Sequence, residues 1–183
     1  MHKIMLKMVV CSLLVVGIVG CSNTSMVKTT DQLYVEDISL TLTESVTPDI
    51  EYYKEEEVQK IFEDTLKKHL QEDNLLTLDK TQNSLNIEII YHRQFAGDGT
   101  PFPSDSLRGP RISYTISVKD GNKVLTNINR TGLEYVGNMI MKLKIGSYLM
   151  REKSDEDALI EGVAEMIAED IENLELLVVD PNI

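Results

Sequence analysis

The sequence predicts an α+β domain: a two-layer sandwich in which two amphipathic helices pack on a mostly antiparallel sheet of about four to five strands. Three observations predict it. Two segments, starting near Glu55 and Ser154, repeat apolar residues every three or four positions and so present one apolar stripe each. Several shorter segments alternate apolar with polar residues, as strands with one covered face do. Between two of these stands Asp120-Gly121, a strong hairpin signal.

The elements follow in order along the chain. Ile38, Leu40 and Leu42 alternate with Ser39, Thr41 and Thr43, a half-buried strand that Thr47-Pro48-Asp49 punctuates. From Glu55, the residues Val58, Ile61, Phe62, Leu66 and Leu70 line one face of a helix of about four turns. Glu63–Lys67 and Asp64–Lys68 are acid-to-base pairs four apart, each contributing about 0.2–0.5 kcal/mol. Asp73-Asn74 ends the helix. Leu85, Ile87 and Ile89 are the core side of a second strand, which Tyr91 continues.

Residues 95–110 hold three Gly and three Pro and exclude regular structure. Ile112, Tyr114, Ile116 and Val118 form a third strand, and Val124, Thr126 and Ile128 the return strand, running on toward Tyr135. Residues 137–150 fit two readings. Met139, Met141, Leu143 and Ile145 alternate with Lys142 and Lys144 as in a strand, yet Met-rich stretches also pack as helices. The expectation is a short segment crossing the fold. In the last helix Ser154 and Asp157 resemble a capping box, and Ile160, Val163, Ala164, Ile167, Ile171 and Leu174 form its stripe. Leu176–Val179 adds an edge strand before Asp180-Pro181.

The 183 residues carry 18 Lys+Arg against 30 Asp+Glu, a formal charge of -12. That length suits one domain. The acidic balance excludes the basic footprint that a nucleic-acid binder needs.

The N-terminus is built differently from the rest. Lys3 and Lys7 precede an uncharged, Val- and Leu-rich run from Met8 to Gly20, shorter than the roughly 20 residues that span a bilayer. It has the form of a secretory signal peptide. Its end, Ile18-Val19-Gly20-Cys21, resembles the bacterial lipobox, with the polar run Ser22-Asn23-Thr24-Ser25 after it. The resemblance implies that signal peptidase recognises Ile18, Val19 and Gly20, cuts before Cys21, and leaves a diacylglyceryl thioether on the Cys21 sulfur. Cys11 lies inside the apolar run and leaves with it, so no disulfide forms in the mature chain. Ser22 resembles the outer-membrane sorting class of Gram-negative lipoproteins. The expected organisation is a signal peptide at 1–20, a lipidated flexible tether at 21–32 and one globular domain at 33–183. Removing residues 1–20 takes away Lys3 and Lys7 and no acid, leaving 16 bases against 30 acids, or -14. Such a body is repelled by an anionic bilayer.

Little in the mature chain points to catalysis. His69 and His92 are its two histidines, too few for the three or four ligands of a zinc site, and no H-E-x-x-H is present. No G-x-S-x-G elbow or phosphate-binding Gly loop occurs. The carboxylate clusters Asp155/Glu156/Asp157 and Glu169/Asp170 read as helix ends and solvated faces. The expectation is a protein that is not an enzyme, with no catalytic residues, no metal and no cofactor beyond the covalent lipid on Cys21.

The 95–110 loop is the feature left over, since unstructured connections of more than about 12–15 residues are uncommon. Arg93, Phe95, Phe102, Leu107 and Arg108 make it a candidate partner-binding loop, because aromatics and Arg are enriched at binding hot spots. The competing reading folds Phe95 and Phe102 back as a lid over the sheet. The layout is similar to small envelope α+β lipoproteins, including the lipopolysaccharide-assembly class. The expectation is an outer-membrane-anchored periplasmic accessory or scaffold bound to an envelope protein partner, because packing explains the apolar positions and exposure the polar ones; the likeness of layout gives no function. The alternatives are a carrier of a lipid or peptide in an apolar cavity, and a cell-wall or glycan hydrolase.

Overall fold

The computed structural model describes residues 24–28 and 32–179. The lipobox residues Ile18, Val19, Gly20 and Cys21 lie outside these. The elements are β1 (Thr24–Lys28), β2 (Leu33–Glu44), α1 (Glu55–Glu72), β3 (Leu76–Thr77), β4 (Ser84–Arg93), β5 (Arg111–Asp120), β6 (Lys123–Glu134), α2 (Met139–Gly146), α3 (Lys153–Glu172) and β7 (Glu175–Val179).

An α+β fold results, with a five-stranded sheet in the order β3-β2-β4-β5-β6. The sheet is mixed. β2 runs parallel to both β3 and β4, while β4, β5 and β6 are antiparallel neighbours. The reason is α1. A helix between two neighbouring strands carries the chain back to the end where it began, so the second strand starts beside the start of the first. The hairpin at Asp120-Gly121 joins β5 to β6 as the sequence indicated, with Gly121 at φ 56.

Register fixes which side chains meet the helices. Leu40, Ile89 and Tyr114 share one row, and Ile38, Ile87, Ile116 and Ile128 the next. α1 and α3 cover this face. Phe62 and Leu66 from α1 and Ile160, Val163 and Ile167 from α3 are wholly buried there. Each such side chain contributes roughly 1.5–3 kcal/mol relative to exposure. The other face is open and polar: Ser39, Glu88, Thr115 and Asn129 stand side by side across four strands.

The helix ends differ in detail from the sequence expectation. α3 starts two residues earlier, because the Asp155 carboxylate turns back to accept the Glu152 N–H at 3.1 Å. In α1 the Glu57 carboxylate accepts the Lys54 N–H at 2.9 Å. The Glu63–Lys67 pair forms at 3.6 Å, while Lys68 is drawn 4.0 Å from Glu72. Residues 139–146 are helical, which settles the ambiguous stretch and brings the helices to three. Thr24–Lys28, within the stretch read as a tether, forms β1 and pairs antiparallel with β7. The expected edge strand near Leu176–Val179 is therefore there, with β1 and not the main sheet as its partner.

The two ends of the sheet are distinct. Leu33, Ser84 and Asp120 lie toward one; Glu44, Arg93, Arg111 and Glu134 lie toward the other. Ten residues of β4 separate them, roughly 30 Å at strand rise. The chain enters the sheet at the Leu33 end and α2 sits beyond the Glu44 end.

Tyr135 carries the chain from β6 toward α2, and it is held between two glycines. A Cβ on Gly109 would overlap the Tyr135 carbonyl oxygen, and one on Gly162 would overlap its hydroxyl.

Candidate contact surface at the α2 end

The 95–110 loop closes on itself through a bridge between Phe95 and Leu107. Both side chains turn inward. With Tyr52, Met141, Met150 and Leu159 they form a second, smaller core at the Glu44 end of the sheet. The Tyr52 and Phe95 ring centroids are 5.7 Å apart. The Tyr52 hydroxyl donates to the Asp105 carbonyl at 2.6 Å, and the Leu107 N–H donates to the Met150 carbonyl at 2.7 Å. The first bond ties the loop to the connection before α1, the second to the segment after α2.

Arg93 is also inside. Its Nε donates to Glu156 at 2.7 Å, Nη1 to Glu44 at 2.8 Å and Nη2 to the Tyr53 carbonyl at 2.5 Å. The second oxygen of Glu156, a wholly buried residue, accepts the Tyr53 N–H at 3.1 Å. Burial pushes the Glu156 carboxyl up, and the Arg93 guanidinium and the Tyr53 N–H act against that. Glu44 and Glu156 thus share one cation, with Glu156 wholly buried and Glu44 part-exposed.

Of the five residues read from sequence as a partner-binding loop, Arg93, Phe95 and Leu107 are buried. Phe102 is 88% exposed. Arg108 is exposed too, 3.5 Å from Glu134. The loop is therefore a lid at its base, as the competing reading had it for Phe95, and a free tip at Phe102.

The exposed apolar surface comes mainly from a segment that sequence reasoning did not single out. On α2 and the turn after it, Met139, Ile140, Leu143, Tyr148 and Leu149 are between 56% and 76% exposed. The first three lie at three- and four-residue spacing on one helix face. Asn138 starts this helix, its side-chain oxygen accepting the Met141 N–H at 3.0 Å. Tyr148 ends it. The Tyr148 N–H donates to Ile145 and the Leu149 N–H to Lys144, with Tyr148 at φ 58. This is the doubly bonded helix end that normally places Gly at that position. A non-Gly residue there costs on the order of 1–3 kcal/mol, and such strain clusters at functional sites. Here it holds an aromatic ring out in solvent. The signals for this helix were Asn138 before Met139 and Gly146 at its end; the alternating lysines masked them.

Ala96, Gly97 and Arg108 from the loop and Ile145, Gly146 and Tyr148 from the α2 side line a hollow of about 230 Å³, so the two surfaces adjoin. Around them Lys144 pairs with Asp155 at 2.9 Å and Arg151 with Asp105 at 3.3 Å. Lys142 is exposed and has no ion-pair partner among the described residues.

Elsewhere the exposed large apolar side chains, Leu78, Ile90 and Val124 among them, lie apart on different strands and turns. A hollow of about 390 Å³ on the open sheet face is lined by Ser39, Glu88, Thr115 and Asn129 together with Ile90 and Tyr114. His92, at its edge, meets the hydroxyls of Thr43 at 3.0 Å and Ser45 at 3.4 Å, not a carboxylate. His69 lies 4.0 Å from Glu72 on α1. Among the described residues no group of three His, Cys, Asp or Glu is placed to hold a metal. No described helix is long and apolar enough to cross a membrane.

The tyrosines give this end a pH signature. Burial, then the nearby Glu156 and Asp105, pushes Tyr52 up to about 12. Burial, then Asp170 at 2.7 Å, moves Tyr114 up as well, and burial, then Glu156, does so for Tyr91. A raised native pKa means that the unfolded chain gives up its proton first. Stability is then complete below pH about 10 and falls as pH rises toward about 12. The urea midpoint is expected to drop between about pH 9 and about pH 11, with a smaller drop in Tyr52→Phe. Equal midpoints at the two pH values would contradict the buried placement of these rings.

No family model matches this chain, and no curated protein matches it. Among solved structures, a minor lipoprotein from Acinetobacter baumannii is similar at TM-score 0.39 and 20% identity, over 74% of this chain and 91% of that one.

Proposed function

We propose that this chain is a membrane-anchored envelope lipoprotein whose domain is a non-catalytic accessory, binding another envelope component through the α2 end. The observation that carries the reading is the set of five large apolar side chains left in solvent on α2 and its turn, beside a closed second core. Together they leave several hundred Å² of apolar surface, an extent that marks interaction sites on monomers. The lipobox supplies the anchor, at Cys21, and Ser22 favours the outer membrane facing the periplasm in a Gram-negative host.

The carrier reading has less behind it. The hollow of about 390 Å³ on the sheet face, where Ile89, Ile90 and Tyr114 stand among polar residues, and the polar one of about 430 Å³ at the Leu33 end are both open to solvent, not enclosed cavities. Extraction of the purified domain is expected to release no stoichiometric lipid or peptide; a one-to-one bound lipid would favour the carrier. The anchor is tested directly. Cys21→Ser is expected to move the protein from the membrane to the soluble fraction with an unchanged melting temperature. Membrane retention of that variant would defeat the lipoprotein reading.

A further inference from the structure

We propose that the occupant of the α2 end is a protein held away from the bilayer, one that presents an apolar pocket bordered by carboxylates. The proposal rests on the anchored reading above and names the partner that reading leaves open.

Placement argues first. The lipid-bearing residue precedes β2, which begins at the Leu33 end of the sheet, and Thr24–Lys28 of the intervening chain is tied up against β7. α2 lies beyond the opposite end, next to Phe95, Leu107 and Met150. The apolar end therefore points away from the membrane that holds the chain. A second copy joined end to end through α2 would send its tether the opposite way, which disfavours that arrangement on one bilayer.

Charge argues second. Lys144, Arg108 and Arg151 each have a carboxylate partner within the fold. Lys142, between Ile140 and Leu143, does not among the described residues. In a mature chain of 16 bases and 30 acids, this end offers an acidic partner a cation with apolar groups around it. Shape argues third. Tyr148 holds a left-handed backbone conformation at φ 58 that leaves its ring outside the second core, a placement that a pocket on the partner would use.

The test uses the full lipidated chain in vesicles of phosphatidylethanolamine and phosphatidylglycerol. An environment-sensitive fluorophore is placed through Leu143→Cys or, at the opposite end, Leu78→Cys. Lipids with quenchers at the headgroup are expected to dim the probe at 78 and not at 143. Sedimentation of the same chain in detergent is expected to show a monomer. In cells, a photo-crosslinkable residue at 143 is expected to give one protein adduct. Lys142→Glu should lower its yield several-fold, and Lys60→Glu on α1 should leave it unchanged. Tyr148→Gly should raise the melting temperature while weakening the same adduct, which separates docking from folding. Quenching at 143 would overturn the proposal in favour of the bilayer. A dimer broken by Leu143→Asp would overturn it in favour of a second copy. An adduct indifferent to Lys142→Glu, or no adduct, would overturn it outright. Failure of the chain to associate with vesicles at all would defeat the anchored reading instead.

Discussion

Replacing Glu156 by Gln is expected to destabilise the domain by about 3 kcal/mol, as removing one partner of a buried ion pair does. Arg93 would remain inside with Glu44 and the Tyr53 carbonyl as its partners, and Glu44 is itself part-exposed. A guanidinium does not discharge, so it cannot escape the penalty by titrating. The pair joins the end of β4, the end of β2, the strand-to-helix connection at Tyr53 and the first turn of α3. Its loss should therefore loosen all four together. Urea denaturation at neutral pH measures the effect. The double variant Arg93→Met, Glu156→Leu is expected to lose less than Glu156→Gln alone, because apolar groups of similar volume carry no stranded charge. A loss below about 1 kcal/mol for the single variant would mean that the network is wetter than its geometry implies.

Gly109→Ala is expected to cost about 2–3 kcal/mol by overpacking. The obstacle is the Tyr135 carbonyl, a backbone group that the new methyl would overlap and that moves only if the end of β6 moves. Gly162→Ala tests the opposite side of the same residue. In an ordinary helix that change gains about 1 kcal/mol, but here the Tyr135 ring occupies the space, and a net loss is expected. Tyr135→Ala should separate the two. In that background Gly162→Ala becomes favourable, while Gly109→Ala keeps its cost. If Gly162→Ala stabilises the unaltered protein, the Tyr135 ring does not pack on α3.

What the sequence made legible was whatever depends on local periodicity. The stripes of α1 and α3, the alternation in β4 and β5 and the Asp120-Gly121 hairpin needed no knowledge of distant residues. Strand direction was less accessible, although the strand-helix-strand order of β2, α1 and β4 contained it. α2 was harder, because its apolar residues face two ways: Met141 inward, Met139, Ile140 and Leu143 outward. A segment apolar on both sides has no stripe to read. Glu156 looked like a solvated charge because it stands between Asp155 and Asp157, and Arg93 like a contact residue of the loop; only the tertiary fold brings them together. For the 95–110 loop both readings were open, and the structure buries Phe95 and Leu107 while leaving Phe102 exposed. Phe95 and Leu107 become lid residues because Tyr52, Met150 and Leu159 arrive from three other parts of the chain.

The Arg93 network also sets a timetable. Glu44 is made 49 residues before Arg93, and Glu156 comes 63 residues after it. An exported chain is delivered across the membrane in the same order, so an interval of 63 residues separates Arg93 from Glu156. Through it the sheet is covered by one helix out of two, and the guanidinium lacks its innermost counterion. No shortened chain that stops before α3 can hold that charge indoors, so the domain gains its stability in one late step, when its last helix is delivered.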